Sequence, residues 1–513
     1  MKGYNKFGIN FFKKCNGIYT FCIVDRNKNE VIIGRDPIGV KPLYLYTEEN
    51  FIYFSSELKS LFKFKNIKLD KNSLSQYLSS FYSFSPNCSL KNVISLNPGT
   101  ILSIKENLKI KKNNFFDIKN LIFVKNEENK FDLKKEIINS VKRQLVSDVP
   151  VGLLLSSGLD SMSILSSLKS LGKLKNTNTY TAIYDDKTLS EENLILKLSK
   201  EWGFKPNLFK ISSKDIVKNF DDYIKCYDDF EFMPNSFAMY YLCKKIKKNK
   251  VLLSGVGGDE VFLGYKTHIA SNIKSYFKSE NFLFKILHNL NFLNLYNDNI
   301  ERFFYGSSQS YKKSIFLWRR IHTDKEINKN FLNIKDLDYS KIFFNYHNHF
   351  EIASQLNNFS KKKFYSYLDM KTWLIDHSLK LWDKAGMYSS KEIRVPFLDL
   401  SFLEKIFKTH EFNRCIKIGY KINLKNAFND DLPKYIINNP KKGFSVPIIN
   451  WLNNKELQNL FIHIIYQDKI LLPESYKRDL KLQILNLDNY QNALKIWNIV
   501  CLCKWTQINK FKF

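Results

Sequence analysis

The chain lacks any apolar run long enough to cross a bilayer. Within its 513 residues, stretches such as Phe282-Leu283-Phe284 and Val251-Leu252-Leu253 stop far short of the roughly 18 to 20 uninterrupted apolar residues that a spanning helix needs. The opening Met1-Lys2-Gly3-Tyr4-Asn5-Lys6 does not lead into the compact apolar core and small-residue cleavage site of a secretory signal. No membrane partner and cytoplasmic residence are therefore expected. Cysteine is sparse. Eight residues, Cys15, Cys22, Cys88, Cys226, Cys243, Cys415, Cys501 and Cys503, are scattered too widely for a disulfide framework. Cys501-Leu502-Cys503 has no second ligand pair to complete a tetrahedral metal site, so buried free thiols are expected. Arginine is scarce as well. The formal charge of +30 comes mainly from lysines spread over nearly every segment. Diffuse charge of that kind serves solubility rather than a surface that follows nucleic-acid phosphates, so no nucleic-acid partner is expected.

What is present is a chain that is 44% hydrophobic, with enough apolar residues for roughly two to four domains. From Asn16 to Phe54 the pattern is β-rich, with apolar runs at Gly17 to Val24, Val31 to Ile33, Leu43 to Tyr46 and Phe51 to Phe54. The turn formers Asp25-Arg26-Asn27-Lys28-Asn29 and Asp36-Pro37-Ile38-Gly39 separate them, and a meander in one sheet layer is the simplest expectation. Asn97-Pro98-Gly99-Thr100 turns into Ile101 to Ile104, and the polar stretch from Lys112 to Lys130 marks a domain boundary. Helix and strand then alternate: a helix from Leu133 to Leu145, a strand at Gly152 to Leu155, a helix at Met162 to Leu171, a strand at Tyr180 to Tyr184, a helix from Glu191 to Trp202 and a strand at Lys250 to Leu253. Repeated β/α units favour a parallel sheet, hence an α/β fold. The stretch from Tyr265 to Trp382 reads as mainly helical.

Two loops carry the chemistry. Ser156-Ser157-Gly158-Leu159-Asp160-Ser161 lies between a strand and a helix. Its small side chains, backbone N–H groups and helix N-terminus suit a phosphate, and Asp160 suits the Mg²⁺ that accompanies nucleotide phosphates. Leu253-Ser254-Gly255-Val256-Gly257-Gly258-Asp259-Glu260 repeats the plan after another apolar strand. Because ligands of open α/β sheets bind at the carboxyl ends of strands, Asp160 and Asp259 are expected to share one metal on the pyrophosphate.

Four ordered segments make the resemblance specific. Ser147-Asp148-Val149-Pro150 with the loop 156–161, the segment Leu253 to Tyr265, Glu392-Ile393-Arg394-Val395-Pro396-Phe397-Leu398-Asp399, and Pro440-Lys441-Lys442-Gly443-Phe444-Ser445-Val446-Pro447 resemble signatures of the asparagine synthetase family. Gly34-Arg35-Asp36-Pro37-Ile38-Gly39-Val40-Lys41-Pro42-Leu43-Tyr44 and Ser55-Ser56-Glu57-Leu58-Lys59 are similar to the later part of that family's class II glutaminase domain. The resemblance implies a partial Ntn-type glutaminase β-sheet layer over residues 1–115. It also implies an ATP-pyrophosphatase (PP-loop) synthetase domain with a large helical part over 131–513.

It further implies ATP and Mg²⁺ as cofactors and activation of a carboxylate, aspartate by default, through an acyl-adenylate that ammonia then attacks. Leu154, Ile183, Ser254 and Gly255 would hold the adenosine, and Ser156, Ser157, Gly158, Leu159, Asp160 and Ser161 the phosphates. Asp160 and Asp259 would bind the metal, and Lys441 would be the catalytic lysine. Glu392 and Arg394 form either a brace for the site or a structural ion pair. The sequence departs from the family at Met1-Lys2, where a nucleophilic cysteine is expected, and Cys15 is assigned to packing. Free ammonia, a separate glutaminase chain, or a gene start further upstream are the consequent expectations, with a homodimer as a further possibility. Val256 stands where the family has a carboxylate, and Ser157 where it commonly has glycine. A sugar or other carboxylate as acceptor, and a non-catalytic nucleotide-binding or partner-binding relative, are the competing readings.

Overall fold

The computed structural model describes the chain except for residues 1, 65–66, 126–130, 275, 277–281, 290–297, 310, 333, 335–347, 350, 352–354, 356–359, 410–420, 441–442 and 512–513. The N-terminal part is built from two antiparallel sheets. One runs in the order β1 (Thr20–Asp25), β2 (Glu30–Arg35), β6 (Thr100–Lys105), β7 (Ile110–Asn114), and the other is β4 (Phe51–Ser55), β3 (Tyr44–Glu48), β5 (Val93–Ser95). Ile33, Leu102 and Ile104 of the first sheet meet Leu43, Leu45 and Leu96 on the second in a small shared core. The single meander expected from the turn pattern is thus split. β2 pairs with β6 rather than with β3, because the chain leaves the first sheet at Asp36. There the Asp36 carboxylate accepts backbone N–H groups from Ile38, Gly39, Val40 and Lys41. The fully buried Arg35 guanidinium donates to the carbonyls of Lys41, Gly39 and Leu96. Together they satisfy the buried polar groups of a sharp turn that a hydrophobic pattern alone does not disclose.

The central sheet is parallel throughout, in the order β10 (Pro206–Lys210), β9 (Thr179–Ile183), β8 (Val151–Leu154), β11 (Val251–Leu253), β12 (Glu392–Arg394). Alternate residues face opposite layers, as the pleat requires. Leu153, Leu155 and Leu253 join a core with Met162, Leu165 and Leu168 of the helix Leu159–Ser170, and with Ile137 and Val141 of the helix Leu133–Gln144. Leu154, Leu252 and Tyr180 join the other core, with Phe220 and Tyr223 of the helix Ser213–Cys226 and Trp497 of the long helix Tyr490–Asn509. Helices therefore cover both faces, and Cys501 and Cys503 are packing thiols at 0% exposure.

In sequence order the central strands run third, second, first, fourth, fifth. The direction of winding reverses between β8 and β11, and such a switch point opens a crevice at the strand ends where ligands bind. The described portions of 265–382 are largely helical.

The two parts of the chain dock through the helix Lys380–Tyr388. Lys384, at 0% side-chain exposure, pairs with Asp228 at 2.9 Å and reaches Glu57 at 3.3 Å, while Lys41 pairs with Asp383. The residues that made 34–44 and 55–59 conspicuous in the sequence therefore secure the N-terminal sheets to the element that leads into β12.

Candidate active site at the switch point

The loop after β8 is shaped by its own hydroxyls. Ser156 N–H donates to Ser161 Oγ at 3.0 Å, and that Oγ lies 2.8 Å from Ser156 O. Gly158 N–H donates to Ser156 Oγ at 3.2 Å. These bonds wrap the loop around the N-terminus of the helix Leu159–Ser170, and the carboxylate of Asp160 sits in the first turn. The first-turn N–H groups and the dipole of that helix end favour an anion.

The loop after β11 presses directly against it, and glycine is what allows the contact. A Cβ on Gly255 would stand 2.9 Å from Asp160 Cβ and 3.0 Å from Ser161 N, and one on Gly258 would stand 2.5 Å from Asp160 Oδ1. Gly257 has φ of +95°, a left-handed conformation that side chains disfavour. The two loops picked out by their small residues are therefore one site, and Asp160 and Asp259 converge in it.

The group between them is Lys421. Its Nζ lies 2.6 Å from Asp160 Oδ1 and 2.6 Å from Asp259 Oδ1, with the side chain only 7% exposed. Burial opposes the charged ammonium, but Asp160 and Asp259 outweigh it and hold the pKa above the ordinary lysine value. Lys421 also has φ of +48°, which costs a non-glycine residue about 1 kcal/mol. Its carbonyl accepts from Lys425 N–H at the start of the helix Ile422–Ala427.

An ammonium held by both oxygens of Asp160 and by Oδ1 of Asp259 occupies the point that a cation would take. Among the described residues no group of three or more His, Cys, Asp or Glu side chains gathers to hold a metal. Two carboxylates from two loops suit Mg²⁺, which keeps most of its shell for waters and phosphate oxygens.

The remaining expectations divide. Ser157 is 3% exposed, and its Oγ donates to Glu191 Oε1 at 2.7 Å and accepts from Asn439 Nδ2 at 3.2 Å. Ser254 opens the second loop, its N–H donating to Arg394 O at 2.8 Å, and Leu154 and Ile183 end neighbouring strands with buried side chains. Arg394 does not reach the site through its side chain. Its guanidinium pairs with Glu392 at 2.7 Å and donates to Gln144 O and Val146 O, closing the end of the helix Leu133–Gln144. Of the two alternatives for that pair, the structural one describes it. Lys441 lies outside the described residues. Both flanks of its segment return to the crevice: Asn439 on Ser157, and Asn450 on Asp186, just past β9.

Val256 is half-buried and packs against both cores, so an apolar wall stands at that position. Glu260 is buried below it. Burial, aided by the charge of Asp259, raises its pKa to about 7 against the hydrogen bond from Tyr265 Oη at 2.7 Å. Lys421, Glu191 and Asn439 were not anticipated from the sequence. Each lies far along the chain from the loop it touches, and none stands in a distinctive local pattern.

Family profiles and known proteins match most of the chain. The asparagine synthase family profile matches residues 132–507, and the glutamine amidotransferase domain profile matches residues 1–116. The chain is an asparagine-synthase-like ligase and belongs to the asparagine synthase family. It is similar to asparagine synthetase [glutamine-hydrolyzing] 1 of Bacillus subtilis, with 28% identity across 97% of this chain and 78% of that protein. It also resembles a putative asparagine synthetase [glutamine-hydrolyzing] 2 of Methanocaldococcus jannaschii, 30% identical across 52% of this chain and 53% of that one. Asparagine synthetase B of Escherichia coli is 27% identical across 53% of this chain and 47% of its own length. Among the described residues no helix is long and apolar enough to cross a membrane.

Proposed function

We propose that this family member activates a carboxylic acid with ATP and passes the acyl group to ammonia, with aspartate as the acid and asparagine as the product. One observation carries the reading: carboxylates from two loops at the switch point of a parallel sheet, Asp160 and Asp259, meet around one buried cation, Lys421. The names of the relatives supply the acid. On this reading residues 131–513 act as the synthetase unit, and residues 1–115 as a glutaminase-type unit docked on it.

The first step needs negative charge to be managed. A carboxylate oxygen attacks the α-phosphorus of ATP, the bond to the bridging oxygen of the β-phosphate breaks, and pyrophosphate leaves with the electron pair. Loop N–H groups at 156–161 hold the phosphates, and Lys421 offsets the charge that builds on the departing pyrophosphate. Asp160 and Asp259 would hold Mg²⁺ in place of their contacts to the Lys421 ammonium, which would then turn to the phosphates, and the metal would supply further charge neutralisation there. Ammonia then attacks the acyl carbon and loses a proton, and the acyl C–O bond breaks to release AMP. Val256 offers this second step an apolar wall that keeps water from the acyl-adenylate.

Exchange of labelled pyrophosphate into ATP, run with a panel of carboxylic acids, tests the reading. Exchange that depends on aspartate is the expected outcome. Exchange with a different acid would replace the substrate, and none with any acid would remove the proposed chemistry.

A further inference from the structure

The geometry points to Ser157 as a positioning residue that ties the phosphate loop to Asn439, just past the helix Lys434–Ile437, an inference that rests on the loop binding triphosphate as proposed above. The buried Ser157 hydroxyl holds two partners from distant parts of the chain, Glu191 at 34 positions and Asn439 at 282. A hydroxyl carries one proton, so the two bonds have fixed directions: Ser157 gives its proton to the Glu191 carboxylate, and the Asn439 amide gives one of its own to Ser157.

Each partner is held by its own element. Glu191 immediately precedes the helix Glu192–Trp202, where its carbonyl accepts from Ile195 N–H at 3.1 Å. Asn439 N–H donates to Ile436 O at 3.2 Å, at the end of the helix Lys434–Ile437. Beyond the crevice, Asn450 anchors the far flank of the segment on Asp186 at 3.2 Å.

Glycine at position 157 would leave Asn439 and Glu191 without this shared oxygen. With serine there, a shift of the loop toward bound phosphate displaces the oxygen that Asn439 holds, and Asn439 lies two residues before Lys441. Ser157 thereby couples occupancy of the phosphate loop to the placement of Asn439. Glu191 keeps the hydroxyl turned so that its lone pair faces Asn439. The role is one of position, since the hydroxyl acts through its neighbours rather than on the reacting atoms.

The test combines kinetics with a measurement that does not depend on turnover. Asn439→Ala is expected to lower kcat of aspartate-dependent exchange by about tenfold while changing KM for ATP by less than about twofold, the split expected when alignment rather than binding is lost. Ser157→Ala should behave alike, and the double variant should be no worse than Ser157→Ala alone. In hydrogen-exchange mass spectrometry, ATP with MgCl₂ should slow exchange in both 154–162 and 438–447 of the unaltered protein, but only in 154–162 of Asn439→Ala. Equal slowing of 438–447 with and without Asn439, or losses that add in the double variant, would overturn the inference. If no acid supports exchange in the unaltered protein, the proposed reaction fails, and the hydrogen-exchange comparison still decides the coupling.

Discussion

Lys421 Nζ stands 2.6 Å from one oxygen of Asp160 and 2.6 Å from one oxygen of Asp259, so a single buried ammonium closes the two loops of the crevice onto each other. Two carboxylates sharing one ammonium would otherwise repel each other. Lys421→Ala is therefore expected to act twice. Removing a positioned cation from the separating pyrophosphate should lower the exchange rate by about 10² to 10³. Leaving two facing carboxylates should cost about 3 kcal/mol of stability. MgCl₂ should restore part of that stability in the variant, because the vacated point lies between both carboxylates. Thermal unfolding with and without MgCl₂ measures it, and a variant as stable and active as the original protein would disprove the role.

The closeness of the two loops is a second point of leverage. A Cβ at Gly255 would lie 2.9 Å from Asp160 Cβ and 3.0 Å from a backbone nitrogen, and neither neighbour is the free end of a flexible side chain. Gly255→Ala should push the loops apart and lower kcat/KM for ATP by about a hundredfold, since small misplacements are costly at a reacting centre. Gly17→Ala is the control, because its nearest neighbour is a tyrosine ring atom at 3.6 Å. Similar activity in the two variants would mean that the loops need not touch.

These loops were readable in the sequence because small residues clustered directly after short apolar strands are rare and carry a mechanical meaning. The same reading located β8, β9 and β11 to within a residue or two. It missed β10, where Pro206 and Asn207 dilute the pattern of an edge strand, and β12, only three residues long at the opposite edge. It could not find Lys421, one of 80 basic residues, whose place depends on a fold bringing position 421 beside 160. It joined β2 to β3 in one meander because Asp36 and Arg35 work through backbone groups, which leave no trace in hydrophobic periodicity.

Docking of the N-terminal sheets also makes a measurable claim. Lys384 is fully buried, and Asp228, Glu57 and the Ser56 carbonyl surround its ammonium. Burial opposes its charge, but Asp228 and Glu57 outweigh that and keep it protonated. Lys384→Met should cost about 3 to 5 kcal/mol, because it strands the buried Asp228 carboxylate without its cation. Adding Asp228→Asn should recover part of the loss. Urea unfolding of the single and double variants would show this, and additive losses would mean that the two residues do not act as a pair.

Glu231 makes stability depend on pH with a definite sign. Its carboxyl is 1% exposed, and neither oxygen has a hydrogen-bond partner among the described residues. Burial raises its pKa to about 8 against the pull of Lys380 at 3.4 Å, and Asp229 adds to the rise. Between the unfolded value of 4.5 and about 8, the folded chain keeps a proton that the unfolded chain has lost. The folded state binds more protons across that window, so the free energy of unfolding falls as pH rises. At about 1.36 kcal/mol per pKa unit, the full loss approaches ~5 kcal/mol. Glu231→Gln fixes the neutral form while Lys380 keeps Asp229. The variant should therefore match the original protein near pH 5 and gain on it steadily until about pH 8. Urea midpoints taken between pH 5 and 9 test this, and a difference that stays constant across the range would show that Glu231 is ionised in the fold at all of these pH values.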